Sequence, residues 1–440
     1  MEKTFKVVGG KKLQGEINLS GAKNIALKVL IGALLFDSKV VLKNIPRIAD
    51  ILELIHLLKL LGVSVEFENN TVIIDPLTLQ KNEVDLLYAS KIRVSFLLFA
   101  PLLYKFGSAK IPNPGGCRLG ARSIDRVIEG LKALGVMVDY NSETGYYDSS
   151  LSEKPKGNYE FEKPSHTGTE LLVLMSVFGE GVINIKNAGL EPEIDDLINF
   201  LNDGGAKITR RGSDIEIVGV EKLVQRVPFT ISSDRVEAIT YAVLGLATKG
   251  DVVISDIEER HIGSFVELVK IANAGVEKMS DSRWRFFYKG PMGSMKIETA
   301  PFPGFLTDWQ PLLAVLMTQT IGKSVIHETI FENRFSYVSE LKKIGADIEY
   351  IEYPVENPEI HYHFNFNPEN EYLQTIEITG PQELHGGVMA VSDLRAGATL
   401  AIGALIANGE SYVSGIHHLE RGYEDFVQKV RTLGGNIDKV

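Results

Sequence analysis

A short motif that ends a helical pattern recurs six times along the chain. The copies read LKLLGVSVEF, LKALGVMVDY, LNDGGAKITR, IANAGVEKMS, LKKIGADIEY and VRTLGGNIDK. Their aligned glycines are Gly62, Gly135, Gly205, Gly275, Gly345 and Gly434, which are separated by 73, 70, 70, 70 and 89 residues. Repetition at a nearly constant spacing is typical of an architecture in which one supersecondary unit is built several times. The repeat therefore restricts the chain to six related units.

Each unit predicts the same order of helices and strands. The glycine is expected to end a helix in the left-handed conformation, and the alternating residues after it, such as VSVEF and TVIID, predict a strand hairpin. A short strand precedes that helix. A segment that is apolar on every side, such as NIALKVLIGALL, precedes the strand and predicts a buried helix. With one further strand leading in, each unit is βαβαββ.

The two helices of a unit differ in their hydrophobic pattern. In RSIDRVIEGLKALGV the apolar residues form a single stripe, which consists of Ile124, Val127, Ile128, Leu131 and Leu134. A helix of this kind lies on a sheet with its other face in water. Six units most simply make two domains of three units, with the break near RVPFTISS at residues 226–233. The long last interval contains EYPVENPEIHYHFNFNPENEY, which we interpret as an insertion in a hairpin.

The composition narrows the classes of partner. The chain has 440 residues and a net charge of −11, and this acidic balance argues against a nucleic-acid or membrane-surface protein. No apolar run reaches the roughly 18 residues of a membrane span, and the N-terminus lacks a signal-peptide core. One cysteine cannot form an internal disulfide, which fits a reducing compartment. We therefore expect a soluble cytoplasmic protein.

Charged residues recur close to the predicted starts of the helices. Carboxylates at Asp234, Asp308 and Asp393 offset the positive end of a helix dipole and suit capping positions. Cations do not suit these positions, yet five lie near predicted helix starts: Lys23, Arg93, Arg122, Arg334 and Arg421. A polyanionic ligand held jointly by helix dipoles and cationic side chains resolves the conflict. In an acidic protein, this pattern indicates a small phosphorylated substrate.

The single cysteine lies in PNPGGCRLGAR, a glycine-rich segment at residues 112–122. A lone cysteine is usually a small buried hydrophobic residue. Here Arg118 and Arg122 follow Cys117, and nearby cations favour the thiolate form. The segment therefore predicts a reactive thiol in a loop that its glycines allow to close.

Six motifs appear in order along the chain. They are SGAKN at 20–24, PGGCRLGARSID at 114–125, LTDWQP at 306–311, ETIFENRF at 328–335, SDLRAGA at 392–398 and HLERGYE at 418–424. On these motifs the sequence, over nearly its whole length, resembles the bacterial UDP-N-acetylglucosamine 1-carboxyvinyltransferase family of enolpyruvyl transferases. The resemblance implies transfer of the enolpyruvyl group of phosphoenolpyruvate to the 3-hydroxyl of UDP-N-acetylglucosamine, with release of phosphate, in the first committed step of peptidoglycan precursor synthesis. It implies no metal and no cofactor.

The resemblance also implies a fold. Members of the family are inside-out α/β barrels of two three-unit domains, with the active site in the cleft between the domains, and their first strand belongs with the second domain. We therefore expect residues 22–232 to form the first domain, which carries the Cys117 loop. Residues 1–21 and 233–440 are expected to form the second. The sequence leaves the oligomeric state open.

The matching positions imply roles for individual residues. Cys117 matches the loop cysteine that donates a proton and reacts with the inhibitor fosfomycin, and Asp308 matches the carboxylate that takes the proton from the sugar 3-hydroxyl. With Lys23 and Arg421 they are the predicted catalytic residues. The predicted substrate-binding residues are Lys23, Asn24, Arg93, Arg122, Ser123, Ile124, Asp125, Arg126, His166, Thr167, Gly168, Asp308, Ile330, Arg334, Arg395 and Arg421.

The chain departs from the family pattern at several places. Leu190 and Val127 stand where the family usually has an arginine and a histidine, and inserts lie near 141–163 and 351–375.

Two alternative functions remain. One is that of a 5-enolpyruvylshikimate-3-phosphate synthase, which is expected to carry other motifs, and the other is that of a UDP-sugar-binding paralogue without catalysis. HYH at 361–363 predicts two imidazoles on one strand face, but no carboxylate or thiol cluster accompanies it, so no metal site is expected.

Overall fold

The repeated sequence motif builds repeated sheets. The protein is represented by a computed structural model that describes residues 3–115 and 124–440. The predictions for Cys117, Arg122 and Ser123 lie outside the described residues. Every other predicted site residue is described.

The first half of the chain begins with two strands and continues through three copies of the unit. The strands are β1 (Thr4–Val8) and β2 (Gln14–Asn18). The first copy contains α1 (Lys23–Gly32), a 3-10 helix (Ala33–Leu35), β3 (Val40–Lys43), α2 (Ala49–Leu60), β4 (Ser64–Glu68) and β5 (Thr71–Asp75). After a 3-10 turn (Pro76–Thr78) and α3 (Leu86–Ala89), the second contains a 3-10 helix (Arg93–Leu98), α4 (Phe99–Phe106), β6 (Ser108–Pro112), α5 (Asp125–Ala133), β7 (Met137–Asn141) and β8 (Tyr146–Ser150). The third contains β9 (Asn158–Glu160), α6 (His166–Ser176), β10 (Val182–Lys186), α7 (Pro192–Asp203), β11 (Lys207–Arg211) and β12 (Asp214–Val218), and β13 (Phe229–Thr230) follows it.

The second half repeats the series three more times. The fourth copy contains α8 (Arg235–Ala247), β14 (Asp251–Ser255), α9 (Glu259–Ile271), β15 (Gly275–Ser280) and β16 (Arg283–Phe287). The fifth contains β17 (Lys296–Glu298), α10 (Gln310–Met317), β18 (Gly322–His327), α11 (Val338–Lys343), β19 (Asp347–Tyr350), α12 (Pro358–His361) and β20 (Thr375–Gly380). The sixth contains β21 (Val388–Ala390), α13 (Leu394–Ile406), β22 (Glu410–Ser414), a 3-10 helix (Leu419–Arg421), α14 (Phe426–Thr432) and β23 (Asn436–Lys439).

Within the described ranges the strands form six sheets, one for each copy. In five of them the lead-in strand pairs in parallel with the strand between the two helices, which also pairs antiparallel with a strand of the hairpin. In the third sheet, for example, Ile185 of β10 lies opposite Tyr159 of β9 and Ile215 of β12. In the second, a single parallel bridge between Glu83 and Lys110 replaces the lead-in strand. The predicted βαβαββ order along the chain is therefore confirmed for the third and fifth copies. The first, fourth and sixth sheets each complete this set of strands with one from a distant part of the chain, and the second has only the bridge.

Three strands of these sheets come from distant parts of the chain. β1 lies between β22 and β23 in the sixth sheet, β2 pairs with β14 in the fourth, and β13 pairs with β3 in the first. The described chain accordingly divides into two compact units. One contains residues 3–20 and 233–440, and the other contains residues 21–115 and 124–232.

The apolar helices form the cores, as their all-round hydrophobicity predicts. Every residue of α8 and α10 is buried, and in α1 only Asn24 is not. By contrast, α5 buries the predicted stripe, with Ile128 only partly covered, and exposes Glu129. Burial of apolar area is the main force that holds such layers together. Among the described helices, none combines the length and apolar character needed to cross a bilayer.

The predicted left-handed helix ends are correct in five copies and wrong in the fourth. Gly62, Gly135, Gly205, Gly345 and Gly434 have φ between 89° and 107°. Gly275 instead begins β15, and Asn273, with φ of 69°, follows the last residues of α9. Asparagine tolerates this conformation better than other residues with a side chain. The structural equivalent of the other glycines is therefore Asn273.

The segment from 351 to 374 is an insertion between the paired strands β19 and β20, as predicted. The prediction that HYH forms a strand is wrong, because His361 is the last residue of α12. Aromatic rings of the insertion pack together, with the Tyr362 and Phe364 centroids 4.9 Å apart. His327 of β18 stacks on Tyr353 at 4.5 Å. Burial, then the charges of His361 and Lys296, lowers the pKa of His327 to about 4.

Candidate active site

Lys23 is the first residue of α1, and a buried carboxylate neutralises it. Its Nζ lies 2.6 Å from Oδ2 of Asp50, and the two side chains are only 11% and 8% exposed. The sequence predicted that a cation at this helix start requires an external anion, whereas Asp50 already supplies one negative charge. Asn24, the next residue, is half-buried. Sequence reasoning missed Asp50, and the only signal was a carboxylate in the first turn of α2.

Backbone contacts fix the start of α1. A Cβ on Gly21 would lie 1.7 Å from the carbonyl oxygen of Asn44, so only glycine fits there. The N–H of Ala22 donates to the carbonyl oxygen of Ser232 at 2.8 Å. Because both contacts involve backbone atoms, they hold the first turn of α1 in one place and position Lys23.

A second buried charge network joins α1 to α6. Oε2 of Glu170 lies 3.0 Å from Nζ of Lys28, and Oε1 lies 3.1 Å from Nε2 of His166. Glu170 is fully buried. Burial lowers the pKa of His166, but the charges of Glu170 and Glu191 outweigh that effect and raise the pKa above 6.5. The predicted residue His166 is thus held by Glu170, which is itself paired with Lys28, and the sequence indicated neither contact.

The start of α6 also positions the rest of the HTG segment. Oγ of Ser165 accepts a hydrogen bond from the N–H of Gly168 at 3.2 Å, which caps the helix. Thr167 is half-buried and Gly168 is buried. His166, Thr167 and Gly168 therefore form the first turn of a capped helix, where the positive end of the helix dipole favours an anion.

The other predicted residues that the structure describes in this unit also lie near helix starts. Arg93 is the first residue of its 3-10 helix and is half-buried, and Ile124 is buried immediately before α5. Asp125 and Arg126 are the first two residues of α5. The carbonyl oxygen of Arg126 accepts a hydrogen bond from the Tyr159 hydroxyl at 3.1 Å, which ties the start of α5 to β9.

In the unit of residues 3–20 and 233–440, the structure brings Asp308, Arg334 and Arg395 together. Oδ1 of Asp308 accepts a hydrogen bond from Nη2 of Arg334 at 2.7 Å, and Oδ2 accepts one from Nη2 of Arg395 at 3.2 Å. Both arginine side chains are almost completely buried, whereas that of Asp308 is 30% exposed. The Asp308 carboxylate is thus the solvent-accessible partner of two buried arginines.

Helix caps and buried hydrogen bonds hold the two arginines. Arg395 lies in the first turn of α13, where Oδ1 of Asp393 accepts from the N–H groups of Arg395 and Ala396. The carbonyl oxygen of Arg334 accepts from Nε2 of Gln310, whose Oε1 accepts from the Tyr337 hydroxyl. These contacts connect Arg334 to Gln310, the first residue of α10, which lies two positions after Asp308.

Glu328 extends the network and was not found from the sequence. Its carboxylate accepts hydrogen bonds from the hydroxyls of Thr299 and Thr307 at 3.0 and 2.8 Å and from the N–H of Ile330 at 2.8 Å. Thr307 in turn accepts from Nη1 of Arg334 at 2.5 Å. Burial raises the pKa of Glu328. Glu328 thereby fixes the peptide of Ile330, a predicted contact of the UDP-sugar.

The arginines determine the charge state of Asp308. Burial raises the pKa of Asp308, but the charges of Arg395 and Arg334 outweigh burial and hold the pKa far below its usual range. A carboxylate held in this way is ionised and weakly basic. Arg421 ends the 3-10 helix Leu419–Arg421 and is half-buried. Arg421 therefore lies close to the start of that 3-10 helix, and α14 begins five residues later at Phe426.

Comparisons with known proteins place these sites in a wider context. A family model described as EPSP synthase (3-phosphoshikimate 1-carboxyvinyltransferase) matches residues 7–430. A UDP-N-acetylglucosamine 1-carboxyvinyltransferase of Halothermothrix orenii is 38% identical over 438 residues, which cover 99% of each chain. One of Desulfosudis oleivorans is 37% identical over 436 residues, covering 99% of this chain and 98% of that one.

Solved structures share the fold. The enolpyruvyl transferase NikO from Streptomyces tendae superposes with a TM-score of 0.85 at 21% identity, covering 100% of this chain and 99% of that one. An EPSP synthase from Acinetobacter baumannii superposes with a TM-score of 0.71 at 17% identity, covering 100% of both chains. The mixed α/β architecture is therefore the enolpyruvyl transferase fold.

Proposed function

The chain belongs to the UDP-N-acetylglucosamine 1-carboxyvinyltransferase family, and from this premise we propose that it transfers the enolpyruvyl group of phosphoenolpyruvate to the 3-hydroxyl of UDP-N-acetylglucosamine. Phosphate is the second product, and the reaction is the first committed step of peptidoglycan precursor synthesis. The observation that carries the proposal is the 35–38% identity, over almost the whole chain, to relatives that bear this name.

Asp308 is the proposed base of the addition step. As the sugar oxygen forms a bond to C2 of phosphoenolpyruvate, the hydroxyl proton passes to the carboxylate. C3 gains a proton from the thiol of Cys117, which closes the addition without any redox change. In the elimination step, C3 returns a proton to the Cys117 thiolate and the bond from C2 to the phosphate oxygen breaks. The enol ether is released, and the proton held by Asp308 passes to the departing phosphate.

The arginine pair explains how Asp308 can become basic. In its hydrogen-bonded state the carboxylate is too weak a base to accept a hydroxyl proton readily. An anionic substrate attracts Arg334 and Arg395, and each hydrogen bond that they withdraw from Asp308 raises its pKa. The proposed role of these two arginines is therefore to couple binding of the substrate anion to activation of the base.

Lys23 and Arg421 are proposed to stabilise the charge on the departing phosphate, together with Arg122. The pairing of Lys23 with Asp50 supports this role, because a buried ion pair holds the ammonium in a defined position. The proposed UDP-sugar contacts remain Asn24, Arg93, Ser123, Ile124, Asp125, Arg126, His166, Thr167, Gly168 and Ile330.

The barrel architecture, the domain boundaries and the cellular location belong to the same proposal. We propose an inside-out α/β barrel with domains at 22–232 and at 1–21 with 233–440, acting in the cytoplasm. The boundaries of the compact units, at Ser20/Gly21 and Ser232/Ser233, support the domain proposal. Phosphoenolpyruvate and the UDP-sugar are the proposed partners, and neither nucleic acid nor a membrane is required.

A single assay separates the candidate activities. Purified protein is incubated with phosphoenolpyruvate and either UDP-N-acetylglucosamine or shikimate 3-phosphate, and phosphate release is measured. Release with the UDP-sugar alone is expected. Release only with shikimate 3-phosphate assigns the chain to the reaction named in the matching family model, and release with neither supports a binding paralogue.

A further inference from the structure

Three side chains of the fifth copy converge on one another. They are Glu298 at the end of β17, His327 at the end of β18 and His361 at the end of α12 in the insertion. One potential ligand atom of each lies within 4.8 Å of the others. Carboxylate and imidazole together are a common ligand set for zinc and similar divalent ions.

Two nitrogens of this cluster have no hydrogen-bond partner among the residues that the structure describes. Nε2 of His327 and Nε2 of His361 are both covered by protein atoms and neither makes a hydrogen bond. His327 is 1% exposed as a residue. An unsatisfied polar atom in a buried site costs free energy and calls for a ligand or another explanation.

The spacing suits a tetrahedral metal ion. Nε2 of His361 lies 3.6 Å from Oε1 of Glu298. Two ligands at about 2.0–2.2 Å from a tetrahedral zinc ion are separated by about 3.3–3.6 Å. The pair therefore already has the spacing of two ligands, and the third has to move by only a short distance.

The surroundings of His327 orient its ring. Nδ1 lies 2.7 Å from the hydroxyl of Thr375 on the neighbouring strand β20. When the proton is on Nδ1, that nitrogen donates to Thr375 and Nε2 presents its lone pair to the cluster. Tyr353 stacks on the face of the His327 ring, whereas Nε2 would bind a metal ion at the edge of the ring. Metal binding therefore leaves the stacking contact intact.

We propose that Glu298, His327 and His361 bind one divalent transition-metal ion of the zinc class, with water completing the coordination. The ion joins three segments that are distant in sequence: β17, β18 and the insertion. It therefore fastens the insertion, through His361, to the sheet of the fifth copy. The sequence did not reveal this site, because the fold supplies the carboxylate and the second imidazole from 63 and 34 positions before His361.

Metal binding by the full chain tests the proposal. Co²⁺ is titrated into the protein and visible absorption is recorded, and Zn²⁺ is then added to displace it. One equivalent of Co²⁺ is expected to bind and to be displaced by one equivalent of Zn²⁺. The same titration of Cys117→Ser is expected to be unchanged, because the thiol is not a ligand. Loss of binding in Cys117→Ser, or no saturable binding, overturns the proposal.

Variants at the exposed edge of the cluster locate the site. Glu298→Gln and His361→Asn are each expected to weaken Co²⁺ binding by at least about tenfold. The matched control is His385→Asn, at an exposed histidine outside the cluster, which is expected to bind as the parent does. Zn²⁺ is also expected to slow amide hydrogen exchange in α12 of the parent but not of His361→Asn. Equal affinity in parent, Glu298→Gln and His361→Asn contradicts the assignment.

Discussion

Nη2 of Arg334 donates to Oδ1 of Asp308 at 2.7 Å, and the arginine side chain is only 4% exposed. The proposed base therefore rests in a state that is ionised but weakly basic. This relationship makes the basicity of Asp308 depend on what else Arg334 binds.

Asp308→Asn is expected to lower kcat by about 10²–10⁴-fold, because the amide cannot accept the hydroxyl proton. Steady-state phosphate release measures the change. Asp251→Asn is the matched control, since Asp251 also pairs with an arginine, Arg285, but lies on a partly exposed strand, β14. Retention of more than a tenth of the parent kcat by Asp308→Asn contradicts the proposed base.

Glu170→Gln is expected to reduce the free energy of unfolding by about 3–5 kcal/mol, because it leaves the buried ammonium of Lys28 without a countercharge. Urea unfolding followed by circular dichroism measures the loss. Glu153→Gln breaks an exposed pair with Lys156 and is expected to leave stability unchanged. The double variant Lys28→Met/Glu170→Met is expected to lose less unfolding free energy than Glu170→Gln, because it leaves no unpaired buried charge. Equal stability of Glu170→Gln and parent shows that the pair is not a stabilising contact.

His166 predicts a pH dependence of stability with a defined sign. Its pKa in the folded protein is raised above 6.5. A raised pKa gives stabilisation that is complete below the unfolded-state pKa and is lost as pH rises through the folded-state pKa. The advantage of the parent over His166→Gln in unfolding free energy is therefore expected to shrink as pH rises above 6.5. His385→Gln, at an exposed histidine, is the control, and an advantage that stays constant across neutral pH rules out this linkage.

Gly115→Ala tests the anchor of the Cys117 loop. A Cβ on Gly115 would lie 1.7 Å from the carbonyl oxygen of Ser90, so the backbone two residues before Cys117 must move. A displacement near 1 Å in a catalytic segment slows a reaction by about 10²-fold, and a loss of that order in kcat is expected.

Gly263→Ala is the matched glycine control, because a Cβ there meets no atom of the described ranges within 4 Å. It lies within α9 and is expected to raise helix stability by about 0.5–1 kcal/mol without changing kcat. Parent-like kcat in Gly115→Ala shows that the backbone relaxes without moving the loop.

Cys117→Ser is expected to abolish covalent labelling by fosfomycin. The chain contains a single cysteine, so the parent should gain the mass of one inhibitor molecule and the variant none. Intact-protein mass spectrometry measures both, and thermal unfolding checks that the variant is folded. A labelled Cys117→Ser protein identifies a different reactive group.

The sequence predicted the organisation of each repeat because the signals are local. Apolar helices, amphipathic helices and hairpins are encoded by periodicity within about 18 residues. The left-handed ends of five helices were found because glycine adopts positive φ at little cost. The left-handed end of the helix in the fourth copy was predicted at the wrong residue. An asparagine, Asn273, adopts positive φ there instead of a glycine. The six motifs also contain Asp308, Arg334 and Arg395, which the structure brings together.

Only the tertiary structure decided which charges meet. Lys23 and Asp50 are 27 positions apart, and Lys28 and Glu170 are 142 positions apart. Similarly, the insertion that carries His361 meets β17 and β18 only through the pairing of the fifth sheet. No local pattern specifies such pairs, since strand order and helix packing set the distances between elements remote in sequence. The sequence therefore determined the units and their residue types, while the packing of those units determined the ionisation and the partners of each functional side chain.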